Sequence, residues 1–279
     1  MIITLALASA IVFGAGDFCG GAASRRGGST PVLMFSLPTG LGLLLIVAVG
    51  LGGTTHPGAL AWGAASGLAG GGGMLMFYRA LAEGPMSVVA PVSGLMAAVL
   101  PAAVGVARGD RLSLTAYAGI GLCLVAICFV SVEKSAGRVR RRMSGPVLAV
   151  LAGMGFGAFF VLIKQGDDGT LWPLAASKAV GVLMVVAAAA VSGRGPAALL
   201  RDRVTIGIAM LAGSLDVLGN ALYVLAARAG MLSVAGVLSS LYPASTVLLA
   251  RVVYGERLRP IQRVGLAIAV AGVGLVTSG

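Results

Sequence analysis

Apolar stretches long enough to cross a bilayer follow one another along almost the whole chain, separated only by short polar turns. A helix needs about 20 apolar residues to span the roughly 30 Å hydrocarbon core of a membrane. There the backbone must satisfy its own hydrogen bonds, which leaves α-helices or closed barrels. Barrel strands would read as roughly 10-residue segments of alternating polarity, and these runs are longer and uniformly apolar. Only 10% of the 279 residues are charged, against about 25% in soluble domains, too few to clothe a water-facing surface. The expectation is an all-α polytopic membrane protein in which the whole chain, not one anchor, lies in lipid.

The runs predict ten transmembrane spans, at about 2–22, 31–51, 59–81, 86–107, 114–132, 146–164, 171–191, 204–227, 231–253 and 260–277. A diverged repeat divides them. Sliding the chain by 146 positions lays Gly84 on Gly230, Ser87-Val88 on Ser233-Val234, and Gly109-Asp110-Arg111-Leu112 on Gly255-Glu256-Arg257-Leu258. The basic stretch 133–145, EKSAGRVRRRMSG, then reads as the connection between a first repeat over 1–132 and a second over 146–279. Five spans per half is odd, so the second half enters the membrane from the opposite side. Two inverted five-helix repeats are the predicted architecture, and such repeats give many carriers two packings of similar energy. Residues 1–22 lack a basic leader and read as the first helix, not a cleaved signal.

Charge orients the bundle. The turns after spans one, three, five, seven and nine, with the adjoining helix ends, hold fifteen Arg and Lys, whereas the others hold four, Arg108, Arg111, Lys164 and Arg228. The positive-inside rule puts the first set in the cytoplasm and both termini outside. The net charge of +11 therefore faces lipid headgroups and does not indicate a nucleic-acid partner. Cys19, Cys123 and Cys128 have no ligand spacing, and His56 stands alone in a loop, so no metal or other cofactor is expected. No catalytic triad, HExxH, CxxC or phosphate-cradling GxxxxGK[ST] occurs, so movement of a solute would be driven by an ion gradient or by its own gradient.

Ionisable groups within the spans are the candidate site, because each costs about 2.5–3.5 kcal/mol near the bilayer centre. Asp216 lies near the middle of span eight, with Asn220 one turn on and on the same face. The pair could bind a cation, a proton or the amino group of a zwitterion, or could glue two helices. Asp17 sits about five residues, roughly 7 Å, from the predicted end of span one, at a cavity mouth or in reach of water. Lys178 either snorkels to the interface or serves inside as counter-ion to Asp216 or contact for a solute carboxylate. Tyr78 and Tyr242 are packing or cavity-lining residues, Tyr242 preceding a proline that frees backbone carbonyls. Trp62 and Trp172 read as interface anchors, and Asp110 and Glu256, each near a helix start, as caps or turn charges that favour the exposed amides. Gly70 to Gly73 in span three either pack closely against another backbone or let the helix open.

Phe13-Gly14 and Phe156-Gly157 early in each half, Lys164 near the end of FGAFFVLIKQG, Tyr78-Arg79-Ala80-Leu81 closing span three, and the acids of GDRL and GERL recur in order. In these the chain resembles the drug/metabolite transporter superfamily, in particular its ten-helix EamA type. The resemblance raises Lys164 to a candidate and implies transport of a small solute, with export as the direction. Relatives are thought to keep their termini in the cytoplasm, opposite to the charge count. Asp17, where relatives are uncharged, and Arg25-Arg26 depart from the family pattern. The expectation is a secondary transporter of small polar or zwitterionic metabolites in the cytoplasmic membrane, working by alternating access as monomer or homodimer. Asp216 and Asp17 are its candidate proton carriers. A non-transporting scaffold or regulatory subunit of the same fold is the alternative, and an enzyme acting on lipid-linked substrates a third reading.

Overall fold

The computed structural model describes residues 2–107, 113–130, 145–166, 168–193, 195–200, 202–228 and 242–278. Among these are ten α-helices: α1 (Ile2–Gly27), α2 (Ser29–Leu51), α3 (Pro57–Glu83), α4 (Met86–Ala107), α5 (Leu114–Val130), α6 (Gly145–Gln165), α7 (Trp172–Ser192), α8 (Arg203–Arg228), α9 (Tyr242–Tyr254) and α10 (Pro260–Ser278). Asp110, most of the 133–145 connection and the first half of the predicted ninth span lie outside the described residues. Each helix falls on an expected span. The largest departure is α1, which continues through Arg25 and Arg26 to Gly27 rather than stopping at Ala22.

The packing exchanges partners between the halves. Helix α3 lies on α6 and α7, and correspondingly α8 lies on α1 and α2; α4 packs on α6 as α9 packs on α1. The pairs α2–α7, α4–α9 and α5–α10 each join a helix to its own counterpart. These inter-repeat interfaces therefore map onto one another when the halves are swapped. Helix directions make the repeats inverted. The start of α6 meets the α3–α4 turn, Gly145 against Gly84, and the end of α1 meets it too, through Arg25 on the Gly84 carbonyl. The end of α6 meets the start of α3, Gly166 lying against Ala59 and Trp62. So α1 ends on the face where α6 begins.

These interfaces require small residues. A methyl group at Gly63 or Gly67 of α3 would sit 2.2 or 2.4 Å from the carbonyl oxygens of Pro173 and Ser177 on α7. The matching interface uses Gly213 of α8, where a methyl would lie 2.1 Å from the Ser36 carbonyl on α2. Close backbone approach is how helices bind one another in lipid, where apolar side chains gain nothing by leaving the solvent. The glycine run of α3 serves the same packing, Gly70 lying against Phe159 and Gly73 against Phe156. Apolar side chains line the outside as well as the core: Ile46, Leu183, Val191 and Val252 face outward, while Ser9, Ser36, Ser66, Ser93, Ser177 and Thr246 are buried among the core residues. Ser9 donates to the Gly219 carbonyl of α8 and Thr246 to the Gly14 carbonyl of α1. Among the described residues, five helices or parts of them are long and apolar enough on their own to cross a bilayer. The protein is a multi-pass membrane protein.

Candidate functional site

The extension of α1 moves Asp17. The residue stands ten positions before Gly27, roughly 15 Å along the axis, so it lies deeper within its helix than the five residues expected from a span ending at Ala22. Asp216 is the central residue of α8, thirteen positions after Arg203 and twelve before Arg228. The two helices pack tightly at this level: a methyl at Gly16 would lie 3.7 Å from the Asp216 amide. Both carboxyls are within electrostatic reach of each other.

Lys178 completes the cluster. Helices α7 and α8 both pack on α2, and the Lys178 side chain crosses the gap to donate from Nζ to Asp216 Oδ2. Its stem points inward, so the snorkelling alternative does not describe this residue. Both partners are partly sealed, with side-chain exposures of 15% and 25%. Tyr78, buried at 2% exposure, lies beside the acids and near Ser36 of α2. Tyr242 stacks edge-on with Phe13 at 6.3 Å and faces Asp17 from α9. The cluster thus draws on α1, α2, α3, α7, α8 and α9, from both repeats.

Two candidates fall outside that arrangement. Asn220 does not sit beside the Asp216 carboxylate: its Nδ2 donates to the Asp216 backbone carbonyl at 2.7 Å, a bond within α8. Lys164 is exposed at the end of α6, level with the α2–α3 turn and not with the acids. Ser36 joins the cluster unforeseen, although a hydroxyl two residues before Pro38 within a largely apolar span was the available signal. Among the described residues no three His, Cys, Asp or Glu group as for a metal. His56 instead caps α3, its Nδ1 accepting from the Ala59 amide at 3.0 Å. A cleft of about 400 Å³ opens between the α1–α2 turn and the α7–α8 connection, lined by Gly27, Pro31, Gly193 and Ala197 among others, and none of the seven candidates borders it.

A second polar cluster lies on the face where α1, α3 and α9 end. Arg25 donates through Nε to the Leu81 carbonyl at 3.1 Å and through Nη2 to the Gly84 carbonyl at 2.9 Å and Glu256 Oε1 at 2.8 Å. Its guanidinium also stacks on Tyr254, 4.6 Å from the ring centre. Glu256 accepts from the amides of Met86, at 3.3 Å, and Ser87, at 3.0 Å. It therefore caps α4 in the other repeat, and not α10 as its place in GERL suggested. Burial works to raise the Glu256 carboxyl, but Arg25 and the Ser87 and Met86 amides outweigh it and hold the group below the ordinary glutamate value. On the opposite face Asp168 accepts from the hydroxyls of Thr55, at 2.5 Å, and Thr170, at 2.7 Å, which hold its carboxyl low. Beside it the Trp172 indole donates to the Gly53 carbonyl.

Two inverted five-helix units with ionisable side chains where they meet have the organisation of a secondary transporter. The chain matches the EamA-like transporter family over residues 1–132 and again over 143–278, and it belongs to that family. Its activity is accordingly transport of small solutes, in place of the scaffold and enzyme alternatives. No curated protein matches the chain.

Proposed function

We propose that the protein moves a small polar or zwitterionic metabolite by alternating access, with Asp17, Lys178 and Asp216 as its mid-membrane binding groups. The observation that carries this reading is the ion pair joining α7 to α8 beside a second acid on α1. Among the described residues Asp17 has no hydrogen bond and no ion pair. Two acids and one base suit a zwitterion: its ammonium takes Asp17, while its carboxylate competes with Asp216 for Lys178. Tyr78 and Tyr242 supply hydroxyls and apolar walls, and the repeat symmetry supplies two packings with the site open to opposite sides. Export, as a monomer or a homodimer, is the direction the family resemblance favours, and the acids are the groups through which a proton would be exchanged for the solute.

Flux in sealed vesicles against a panel of labelled amino acids and amines tests the proposal. Uptake should respond to an imposed pH gradient, and Asp17→Asn should uncouple the two. Flux that ignores the gradient and survives both Asp17→Asn and Asp216→Asn would refute the site.

A further inference from the structure

We propose that Arg25 and Glu256 form a latch that closes the solute pathway on the face where α1, α3 and α9 end. The inference rests on the pathway running past Asp17 and Asp216, but its test does not measure flux. The residues come from the two repeats. Arg25 is on α1, and Glu256 sits in the α9–α10 turn, placed there because Gly255 turns left-handed (φ 66°) and closes α9 with its amide on the Arg251 carbonyl.

The latch ties three chain ends together. Arg25 holds the last carbonyl groups of α3 and the α3–α4 turn, while Glu256 holds the first amides of α4. All of these backbone groups are the ones a helix leaves unpaired at its ends. Releasing Glu256 would therefore free Arg25 and the α4 amides in one event, and α4 could part from α9, on which it packs.

The latch stands above a sealed layer. Arg25 is eight positions beyond Asp17, roughly 12 Å along α1. Between them lie Tyr78, Leu81 and Met86, all with 2% exposure or less, and Phe18 stacked 5.6 Å from Tyr254. A methyl at Gly21 would strike both Met86 and Leu81, so this layer is closed against α1 itself. The ion pair keeps 23% and 15% side-chain exposure, so water reaches it from one side. A contact wetted from outside and backed by an apolar plug is placed to open first.

Cys19 reports on this closure, because it lies beside Tyr78 at the inner edge of the plug and is partly buried. In a chain with Cys123→Ser and Cys128→Ser, a membrane-impermeant maleimide would be applied to sealed vesicles. Their sidedness is fixed by a separate Arg140→Cys reporter in the basic connection. From the basic face, labelling of Cys19 should be slow in the otherwise unchanged chain. It should quicken about ten-fold in Glu256→Gln and in Arg25→Gln, as expected when one contact biasing two conformations is lost. The exchange Arg25→Glu with Glu256→Arg keeps the pair but not the backbone bonds, and should give an intermediate rate; it also serves if Arg25→Gln does not insert. Fast labelling of the unchanged chain from the basic face, or equal rates in all variants, would overturn the latch.

Discussion

Among the described residues, two ion pairs join distant parts of this chain, and they are built from different materials. Lys178 and Asp216 meet within helices, where the backbone amides are already used by the helical ladder. A carboxylate there is answered by other side chains, and a second acid, Asp17, lies within electrostatic reach. Arg25 and Glu256 meet where helices stop. Two carbonyls, two amides and a tyrosine ring complete that pair. The rim pair is thus satisfied by structure, while the central pair leaves capacity for a solute.

The largest effect should come from splitting the central pair. Removing one partner of a buried pair costs about 3–5 kcal/mol, whereas replacing both with apolar groups of similar size is often neutral. Asp216→Ala should therefore lower the thermal stability of the detergent-solubilised protein markedly, and Lys178→Met with Asp216→Leu should restore it. Transport separates the two meanings of the pair. If it binds solute, the stable double variant stays inactive; if it only glues α7 to α8, flux returns.

The central pair also depends on close helices. Gly213→Val would drive α8 away from the Ser36 carbonyl, at a cost of about 1–3 kcal/mol for overpacking. The same shift would lengthen the reach of Lys178 and disturb Ser36 and Tyr78, so solute affinity should fall along with stability. The labelling of Cys19 from the basic face should stay slow, because the rim pair does not use that interface. Rapid labelling in Gly213→Val would mean the two regions are not separable.

At the rim, Glu256→Gln should cost about 1–2 kcal/mol, the range for hydrogen bonds to a charged group at a partly wetted site. The pH dependence has a definite sign. The Glu256 carboxyl is held below its ordinary value, so its contribution is complete above about pH 4.3, the unfolded value, and is lost as pH falls through the lower folded value. The stability gap between the native chain and Glu256→Gln should be constant from neutrality to about pH 5 and close only in stronger acid. A gap that closed between pH 6 and 7 would assign the titration to another group.

The helices were legible because a membrane span is a local property: length and apolarity suffice, and Met86–Ala107 was placed to the residue. The inverted relation followed from counting spans. What was not legible is what depends on partners far along the chain. Helix α1 runs past Ala22 because Arg25 finds carbonyls 56 and 59 residues away. Lys178 turns inward because its acid is 38 residues on. For Asn220 the spacing was right and the atom wrong, since an amide one turn after a carboxylate can equally bond the backbone carbonyl of the same residue. Lys164 was raised by resemblance alone, and its exposed place on α6 gives it no part in the central cluster.

A third ion pair calibrates the other two. Arg79 and Glu83 lie one turn apart on α3, joined at 3.0 Å with side chains 46% and 34% exposed. They share the charge types of the rim pair but bridge nothing, and each can exchange its partner for water. Such pairs contribute about 0.3–0.5 kcal/mol. Arg79→Ala should accordingly leave solute flux and Cys19 labelling unchanged and shift thermal unfolding by less than Glu256→Gln does, at any salt concentration. If Arg79→Ala matched Glu256→Gln, charge near the membrane surface, and not the bridging of repeats, would be the source of the rim effect.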